Sequence, residues 1–275
     1  MNSNRNVIAL DSQQIARKAP SVFATEAHDS RSERYAYIPT LQIINRLADE
    51  GFICTDAQQK RSRSLERASF TKHLLRFSRK DAVLVDGVLP QVILINSCDG
   101  SSRYKLMAGF FRFACANGLI VGQSFEEVSV AHKGDVMGNV IEGTYRVIEG
   151  AEQIGRVAAD WKGINLSTGE AHAYANAALQ LRWDGSPTAD RNVTVKPPIQ
   201  ADAVLRVRRE EDRGVDLWST YNRIQENLVK GGQRTYTADG RRLRVRGVNG
   251  IDGNVALNRA LWTLTECLAN LKQAA

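Results

Sequence analysis

Clustered basic side chains are the residues of this sequence whose types and spacing best fit a chemical role. The interval 60–81 holds eight lysines and arginines but only two carboxylates, and aromatic rings flank or interleave them. Guanidinium groups bind phosphates through paired hydrogen bonds, and exposed rings stack on bases for roughly 1–3 kcal/mol each. The interval therefore predicts a nucleic-acid surface formed by Arg61, Arg63, Arg67, Lys72, Arg76, Arg79 and Lys80, with Tyr35 and Tyr37 as stacking residues.

A second basic cluster lies between residues 233 and 247, on both sides of Asp239-Gly240. This dipeptide accepts a positive φ at low cost and predicts the turn of a β-hairpin. Alternation along the second arm places Arg242, Arg244 and Arg246 on one face, so they join the predicted surface. A solvated strand face explains the same pattern equally well, because charged outer faces are common on antiparallel sheets.

Signatures of catalysis are absent from the sequence. Glycines in the stretch 138–143 have the spacing of a phosphate-binding loop, but Thr144 stands where that loop needs a lysine. The four histidines and four cysteines have no paired metal-ligand spacing, which predicts incidental or buried free thiols. We therefore predict no catalytic residue, no metal and no cofactor. A metal-dependent nuclease stays open, because the fold alone could gather carboxylates such as Glu126, Glu127, Asp135 and Glu142.

The charge balance favours an anionic partner. Lys and Arg total 37 against 30 Asp and Glu, for a formal net charge of +7. Such an excess attracts anions over a long range, and nucleic acid is the commonest anionic partner. The sequence has neither an apolar signal segment nor a run long enough to span a bilayer. We expect a cytoplasmic protein without membrane contact.

A β-meander is the predicted centre of the fold. Asp99-Gly100 and Asn117-Gly118 each predict a tight turn between apolar segments. The predicted strands are 92–97, 102–116 and a segment from 119 through 131, after a strand-like stretch at 67–77. Apolar residues at helical spacing from Asp135 onward predict a long helix across this meander. The predicted fold class is α+β, with an antiparallel β-meander packed against long helices.

Further helices are predicted from caps and apolar stripes. One begins near Thr40 with the expected N-cap chemistry, buries Leu41, Ile44 and Leu47 and ends before Gly51. Ser167-Thr168-Gly169-Glu170 has the form of a capping box, and a helix is predicted over 171–181. Two amphipathic stripes predict later helices: Leu217, Tyr221, Ile224 and Leu228, then Leu257, Leu261, Leu264, Leu268 and Leu271. The second stripe predicts a homo-oligomer, and it fits the core of the protomer equally well.

Four segments make up the predicted domain organisation. Residues 1–19 are polar and form a mobile arm or a short helix, and residues 20–183 form the α+β core domain. Residues 184–203, which contain Pro187, Pro197 and Pro198, form a linker. Residues 204–275 form a helical region with the basic hairpin, packed on the core.

Four separated motifs resemble those of a known family. They are SERYAYIPT at 32–40, NSCDGSS at 96–102, GFFRFACANGL at 109–119 and LNRALW at 257–262. In this order they resemble the prophage- and plasmid-borne family catalogued as domain of unknown function 932. The resemblance implies a setting in bacterial mobile elements and no established activity. The order of elements is also similar to that of single-strand annealing proteins, which hold DNA in a basic groove.

These features predict a non-catalytic nucleic-acid-binding protein of a mobile element that prefers single-stranded DNA. The alternative comes from another class: an anti-defence or regulatory protein whose basic residues bind an acidic patch on a host protein.

Overall fold

The computed structural model describes residues 8–29, 37, 39–62, 64–82, 84, 87–112, 117–120, 127–183, 197–236 and 239–274. The chain divides into two compact units: unit 1 is Met1–Phe111 with Phe125–Ile154, and unit 2 is Arg112–Ser124 with Gly155–Ala275. These units have other bounds than the predicted segments 20–183 and 204–275. Most of the predicted linker, residues 184–196, lies outside the described residues.

The chain contains both helices and antiparallel strands, as predicted. The strands are β1 (Phe52–Gln59), β2 (His73–Arg79), β3 (Val88–Asn96), β4 (Tyr104–Arg112), β5 (Asn117–Ile120), β6 (Glu127–Val130), β7 (Arg234–Tyr236) and β8 (Arg242–Arg244). The α-helices are α1 (Ser12–Lys18), α2 (Thr40–Asp49), α3 (Leu65–Ala68), α4 (Val136–Glu152), α5 (Ile154–Lys162), α6 (Thr168–Trp183), α7 (Ala201–Leu205), α8 (Leu217–Lys230) and α9 (Ile251–Ala274). No helix of the described residues is long and apolar enough to cross a membrane.

Unit 1 is built on an antiparallel sheet in which β1, β2, β3 and β4 are neighbours in that order, and β6 pairs with β4. Every residue of β3 is buried, as are six of the seven residues of β2. Helix α4 packs on β3 and β6, as the helical spacing after Asp135 predicted. Strands covered on both faces lose the alternation of buried and exposed residues by which a half-buried strand is recognised.

Turn and strand predictions in unit 1 have mixed outcomes. Gly100 has a φ of +70°, which confirms the turn at Asp99-Gly100. The turn at Asn117-Gly118 is wrong, because both residues belong to β5. Asn and Gly tolerate a positive φ but do not require it. The strand predicted over 67–77 begins too early, because Ser64 caps the short helix α3 and β2 starts only at His73.

Helix α2 has the predicted position but a different buried face. Gly51, with a φ of +87°, follows its end as predicted. Thr40, Ile43 and Leu47 are buried, whereas Leu41 and Ile44 are only partly buried. Pro39 occupies the N-cap without a side-chain hydrogen bond, and the Thr40 hydroxyl contacts the ring of His73 instead. A tertiary contact has replaced the expected local cap.

Unit 2 is a helical assembly around α8. The predicted stripe Leu217, Tyr221, Ile224 and Leu228 is fully buried. The Tyr221 ring contacts the rings of Trp161 and Trp262, with centroids 5.6 Å and 5.7 Å away. Ser167 and Glu170 form the predicted capping box at the start of α6. The predicted α9 stripe is only partly right. Leu257 and Leu261 are buried and Leu271 is 68% exposed, because Trp262, Thr265 and Ala269 form the rest of the buried face.

Candidate nucleic-acid interface

The connection between β1 and β2 carries the first part of the predicted surface. The Lys60 backbone N–H donates to the Lys72 carbonyl oxygen at 2.8 Å and closes this loop. Lys60, Arg61 and Arg67 are exposed around it, and Lys72 is partly exposed. Arg63 lies outside the described residues. The loop therefore collects basic side chains at one end of the β1–β2 pair.

Arg79 and Lys80 lie at the other end of the same strand pair. In the register, His73 is opposite Gln59, whereas Arg79 is opposite Phe52. Strand β2 spans seven residues, so about 20 Å separate its ends at roughly 3.3 Å per residue. Arg79 also donates to Asp81 through Nε at 3.0 Å and Nη2 at 3.2 Å. The interval 60–80 thus forms two separate basic regions.

Arg76 is a correction to the predicted surface. It is 4% exposed, its Nη1 donates to Gln91 Oε1 at 3.4 Å, and burial lowers its pKa to about 10. Phe77, one of the interleaved rings, is 1% exposed and belongs to the core. The prediction for Arg76 is wrong because β2 is buried on its two faces. A side chain in the middle of such a strand cannot reach a phosphate in solution.

Neither of the two tyrosines predicted to stack on bases is found as an exposed ring among the described residues. Tyr35 lies outside the described residues. Tyr37 is partly buried, and its hydroxyl donates to the Ala24 carbonyl oxygen at 2.5 Å. The hydroxyl also lies 3.7 Å from Cys98 Sγ. The Tyr37 hydroxyl is therefore in contact with other parts of the fold.

The hairpin of β7 and β8 in unit 2 has a more concentrated charge. Its register places Arg234 opposite Arg244, Thr235 opposite Leu243 and Tyr236 opposite Arg242. Because side chains alternate along a strand, the four residues Arg234, Tyr236, Arg242 and Arg244 share one face, which we call the arginine face. All four are exposed.

Arg246, the third arginine predicted for this face, lies beyond the end of β8. It is exposed, but its carbonyl oxygen accepts a hydrogen bond from Arg182 Nη2. Arg241 also lies outside the strands and pairs with Asp239 at 2.8 Å. Alternation in the second arm identified Arg242 and Arg244. Sequence reasoning did not assign Tyr236 from the first arm to the surface. A two-residue turn at Asp239-Gly240 would pair Tyr236 with Leu243, whereas the observed register pairs it with Arg242.

An arginine groove lies beside the hairpin. Arg206, which follows α7, lines a cavity of about 460 Å³ together with Arg234 and Arg244. The remaining lining residues are Ala203, Gly232 and Gln233. Arg206 is not among the residues predicted for the surface, since only the fold brings it to the hairpin. Three arginine side chains therefore line one cavity.

Carboxylates near the arginine groove have other partners. Asp202 Oδ1 accepts from His172 Nε2 at 2.9 Å, and Glu226 is paired with Arg209 and Lys230 at 2.9 Å each. Among the described residues no carboxylate forms an ion pair with Arg206, Arg234, Arg242 or Arg244. The described carboxylates of unit 2 therefore leave the positive charge of the groove without an ion-pair partner.

Backbone contacts hold the hairpin against the end of α8. Gly232 N donates to the Val245 carbonyl oxygen at 2.8 Å, and Val245 N donates to the Gln233 carbonyl oxygen at 2.9 Å. Gly231 has a φ of +65°, and a Cβ atom there would lie 2.5 Å from the same Val245 oxygen. Arg208 Nη2 donates to the Gly231 carbonyl oxygen at 2.5 Å. The groove is thus attached to a rigid helix end.

The carboxylates and histidines of the sequence are not gathered in the part of the chain that the structure describes. No group of three or more His, Cys, Asp or Glu there could hold a metal ion. Glu126 lies outside the described residues, and Asp135 Oδ1 accepts from the Gly138 backbone N–H at 2.9 Å. His73 Nδ1 lies 2.9 Å from Ser21 Oγ and Nε2 lies 3.0 Å from Thr40 Oγ1. This ring is fully buried, so it cannot meet a substrate.

Comparisons with known proteins place the chain among relatives without an assigned activity. The family described as "Domain of unknown function (DUF932)" matches residues 27–262. The chain is similar to UPF0380 protein YfjQ and UPF0380 protein YafZ of Escherichia coli (strain K12). Each is 42% identical over 259 residues, which cover 94% of this chain and 91% of the relative. No solved structure matches the chain.

Proposed function

The chain belongs to the DUF932 family, and we propose that it binds nucleic acid through the arginine groove of unit 2. The nucleic acid that we propose is DNA. One observation carries the proposal: Arg234 and Arg244 lie directly opposite each other and line one groove with Arg206. Like charges in opposite positions of a strand pair destabilise it. A bound phosphate chain would relieve that repulsion, because one negatively charged phosphodiester would accept hydrogen bonds from both guanidinium groups.

Charge supports DNA over an uncharged ligand. The chain has a formal net charge of +7, and the groove arginines have no carboxylate partner among the described residues. The resemblance to a family of prophages and plasmids, whose life cycles expose DNA strands, favours DNA as the nucleic acid. We propose a role in which the protein binds such strands without cleaving them.

Removal of the two opposed arginines tests the proposal. We expect R234A/R244A to weaken binding of a labelled oligonucleotide by about 10-fold or more in fluorescence anisotropy at low salt. Each lost phosphate contact also reduces the slope of log K against log salt concentration by about 0.7 on single strands. The double variant should therefore lose about 1.4 from that slope.

A matched control separates the groove from net charge. Arg156 and Arg213 are exposed arginines of the same unit outside the groove, so R156A/R213A removes an equal charge. This variant should keep the affinity within about 2-fold, since distant charges are largely screened at physiological salt. Equal losses in both double variants, or no DNA binding by the unaltered protein at low salt, would overturn the proposal.

A further inference from the structure

Tyr236 is an unusual tyrosine in this chain. It is 62% exposed on the arginine face, directly opposite Arg242. The other described tyrosines are either buried, as Tyr104, Tyr174 and Tyr221 are, or donate a hydroxyl hydrogen bond, as Tyr37 and Tyr145 do. Within the described residues the Tyr236 ring contacts no other ring, and its hydroxyl has no hydrogen-bond partner.

An exposed ring in this position stabilises the fold very little. A two-stranded ribbon with three residues in each strand buries almost no apolar area, and Tyr236 adds none to the core. The ring does, however, lie among three arginines on one face. Groups that bind phosphates and a flat apolar surface are the two features that proteins combine to bind single-stranded nucleic acid.

We infer that the arginine face selects single strands over duplex, an inference that rests on the proposed DNA binding. Tyr236 is the residue that determines this specificity. The Tyr236 ring stacks on one unpaired base. Arg234, Arg242 and Arg244 bind phosphates on either side of that nucleotide. Residues i and i+2 of a strand are about 6.7 Å apart and paired strands about 4.8 Å apart, so the three charges surround the ring closely.

Duplex DNA does not fit the same face as well. Both faces of each base in a duplex are covered by neighbouring bases, so the ring would meet only the sugar-phosphate backbone. A β-ribbon that reads a duplex inserts into one of its grooves. Here the opposite face of the ribbon is attached to its own unit, because the Thr235 hydroxyl donates to the Pro198 carbonyl oxygen at 2.6 Å. The ribbon is thereby held along the body of unit 2.

Substitution of Tyr236 tests the inference. Fluorescence anisotropy would compare labelled oligothymidine with a labelled duplex of mixed sequence, for the full chain and its variants. We expect Y236A to weaken oligothymidine binding by about 5-fold to 150-fold, the range that corresponds to one lost base–aromatic stack. Duplex affinity should change by less than about 2-fold, because no stack is lost there. Y236F retains the ring and should keep both affinities.

Leu243 supplies the matched control. It is 50% exposed on the other face of the same hairpin, so L243A removes an exposed apolar side chain without touching the arginine face. L243A should bind oligothymidine like the unaltered protein. If Y236A weakens both ligands equally or neither, Tyr236 does not select single strands, even where R234A/R244A shows that the groove binds DNA. If the unaltered protein binds neither ligand, the proposed function and this inference both fail.

Discussion

Arg234 and Arg244 lie directly opposite each other across the antiparallel pair of β7 and β8, and both line the arginine groove. Opposite residues in such a pair have Cα atoms about 4.5–5.5 Å apart, so the two charges repel. An anion bound between the two guanidinium groups would offset this repulsion. The chain would then give up a small amount of hairpin stability in exchange for anion binding.

Reversal of one of these charges should separate hairpin stability from DNA binding. R244E creates an opposite-charge pair with Arg234, which contributes roughly 0.2–1 kcal/mol across a strand pair. We expect slower amide hydrogen exchange in β7 and β8 together with loss of oligonucleotide binding. R244K retains the charge but loses the paired guanidinium hydrogen bonds, so it should leave hydrogen exchange nearly unchanged and weaken binding less than R244E does. A variant R244E that binds DNA as well as the unaltered protein would show that the groove is not the binding site.

The loop between β1 and β2 should make a separate contribution to DNA affinity. K60A/R61A/R67A removes three exposed charges from it, and we expect the slope of log K against log salt concentration to fall by about 2 on single strands. Arg76 is left out of this set because it is buried, so its replacement would change stability. An unchanged slope in the triple variant would confine DNA contacts to unit 2.

The buried ion pair in unit 2 should be important for folding. Arg112 Nη1 donates to Asp212 Oδ2 at 2.9 Å, and the two side chains are 6% and 2% exposed. Loss of one partner leaves a buried charge, which typically costs about 3–5 kcal/mol. We expect D212N to lower the free energy of unfolding in urea by that amount. R112M/D212L removes both charges and should recover most of the loss. A decrease below about 1 kcal/mol for D212N would contradict the buried geometry.

Stability should fall in acid because of His73. Burial lowers the pKa of this ring from 6.5 to about 4. The unfolded chain therefore binds a proton between these values while the folded chain does not. The stability that the neutral, buried ring contributes to the folded state is fully present above pH 6.5, and it is lost as the pH falls from 6.5 towards 4. At 1.36 kcal/mol per pKa unit the loss reaches about 3 kcal/mol.

Urea unfolding above pH 6.5 and near pH 4 would measure this effect for the unaltered protein and for H73N. The variant has no imidazole at this position, so its free energy of unfolding should depend less on pH over that interval. H172N is the matched control. His172 is partly exposed, and its hydrogen bonds to the Thr168 carbonyl oxygen and then to the Asp202 carboxylate raise its pKa instead of lowering it. Equal pH dependence in H73N and the unaltered protein would show that another group titrates.

Local signals in the sequence determined several elements of this protein. Asp239-Gly240 lies at the turn of the basic hairpin, where Gly240 has a φ of +78°. The stripe from Leu217 to Leu228 forms the buried face of α8, and Ser167 and Glu170 cap α6. Each of these depends on residues within a few positions of one another. Their geometry follows from local backbone preferences and helical periodicity, and both can be predicted from the order of residue types in the sequence.

Only the tertiary structure decided which basic residues share a surface. Arg76 is close in sequence to Lys72 and Arg79, but β2 is covered on both faces and buries it. The length of the same strand separates the charges at its two ends. Arg206 joins Arg234 and Arg244 because α7 brings a distant segment to the hairpin. Charge clustering along a chain becomes clustering in space only when strand length, burial and the packing of remote segments allow it.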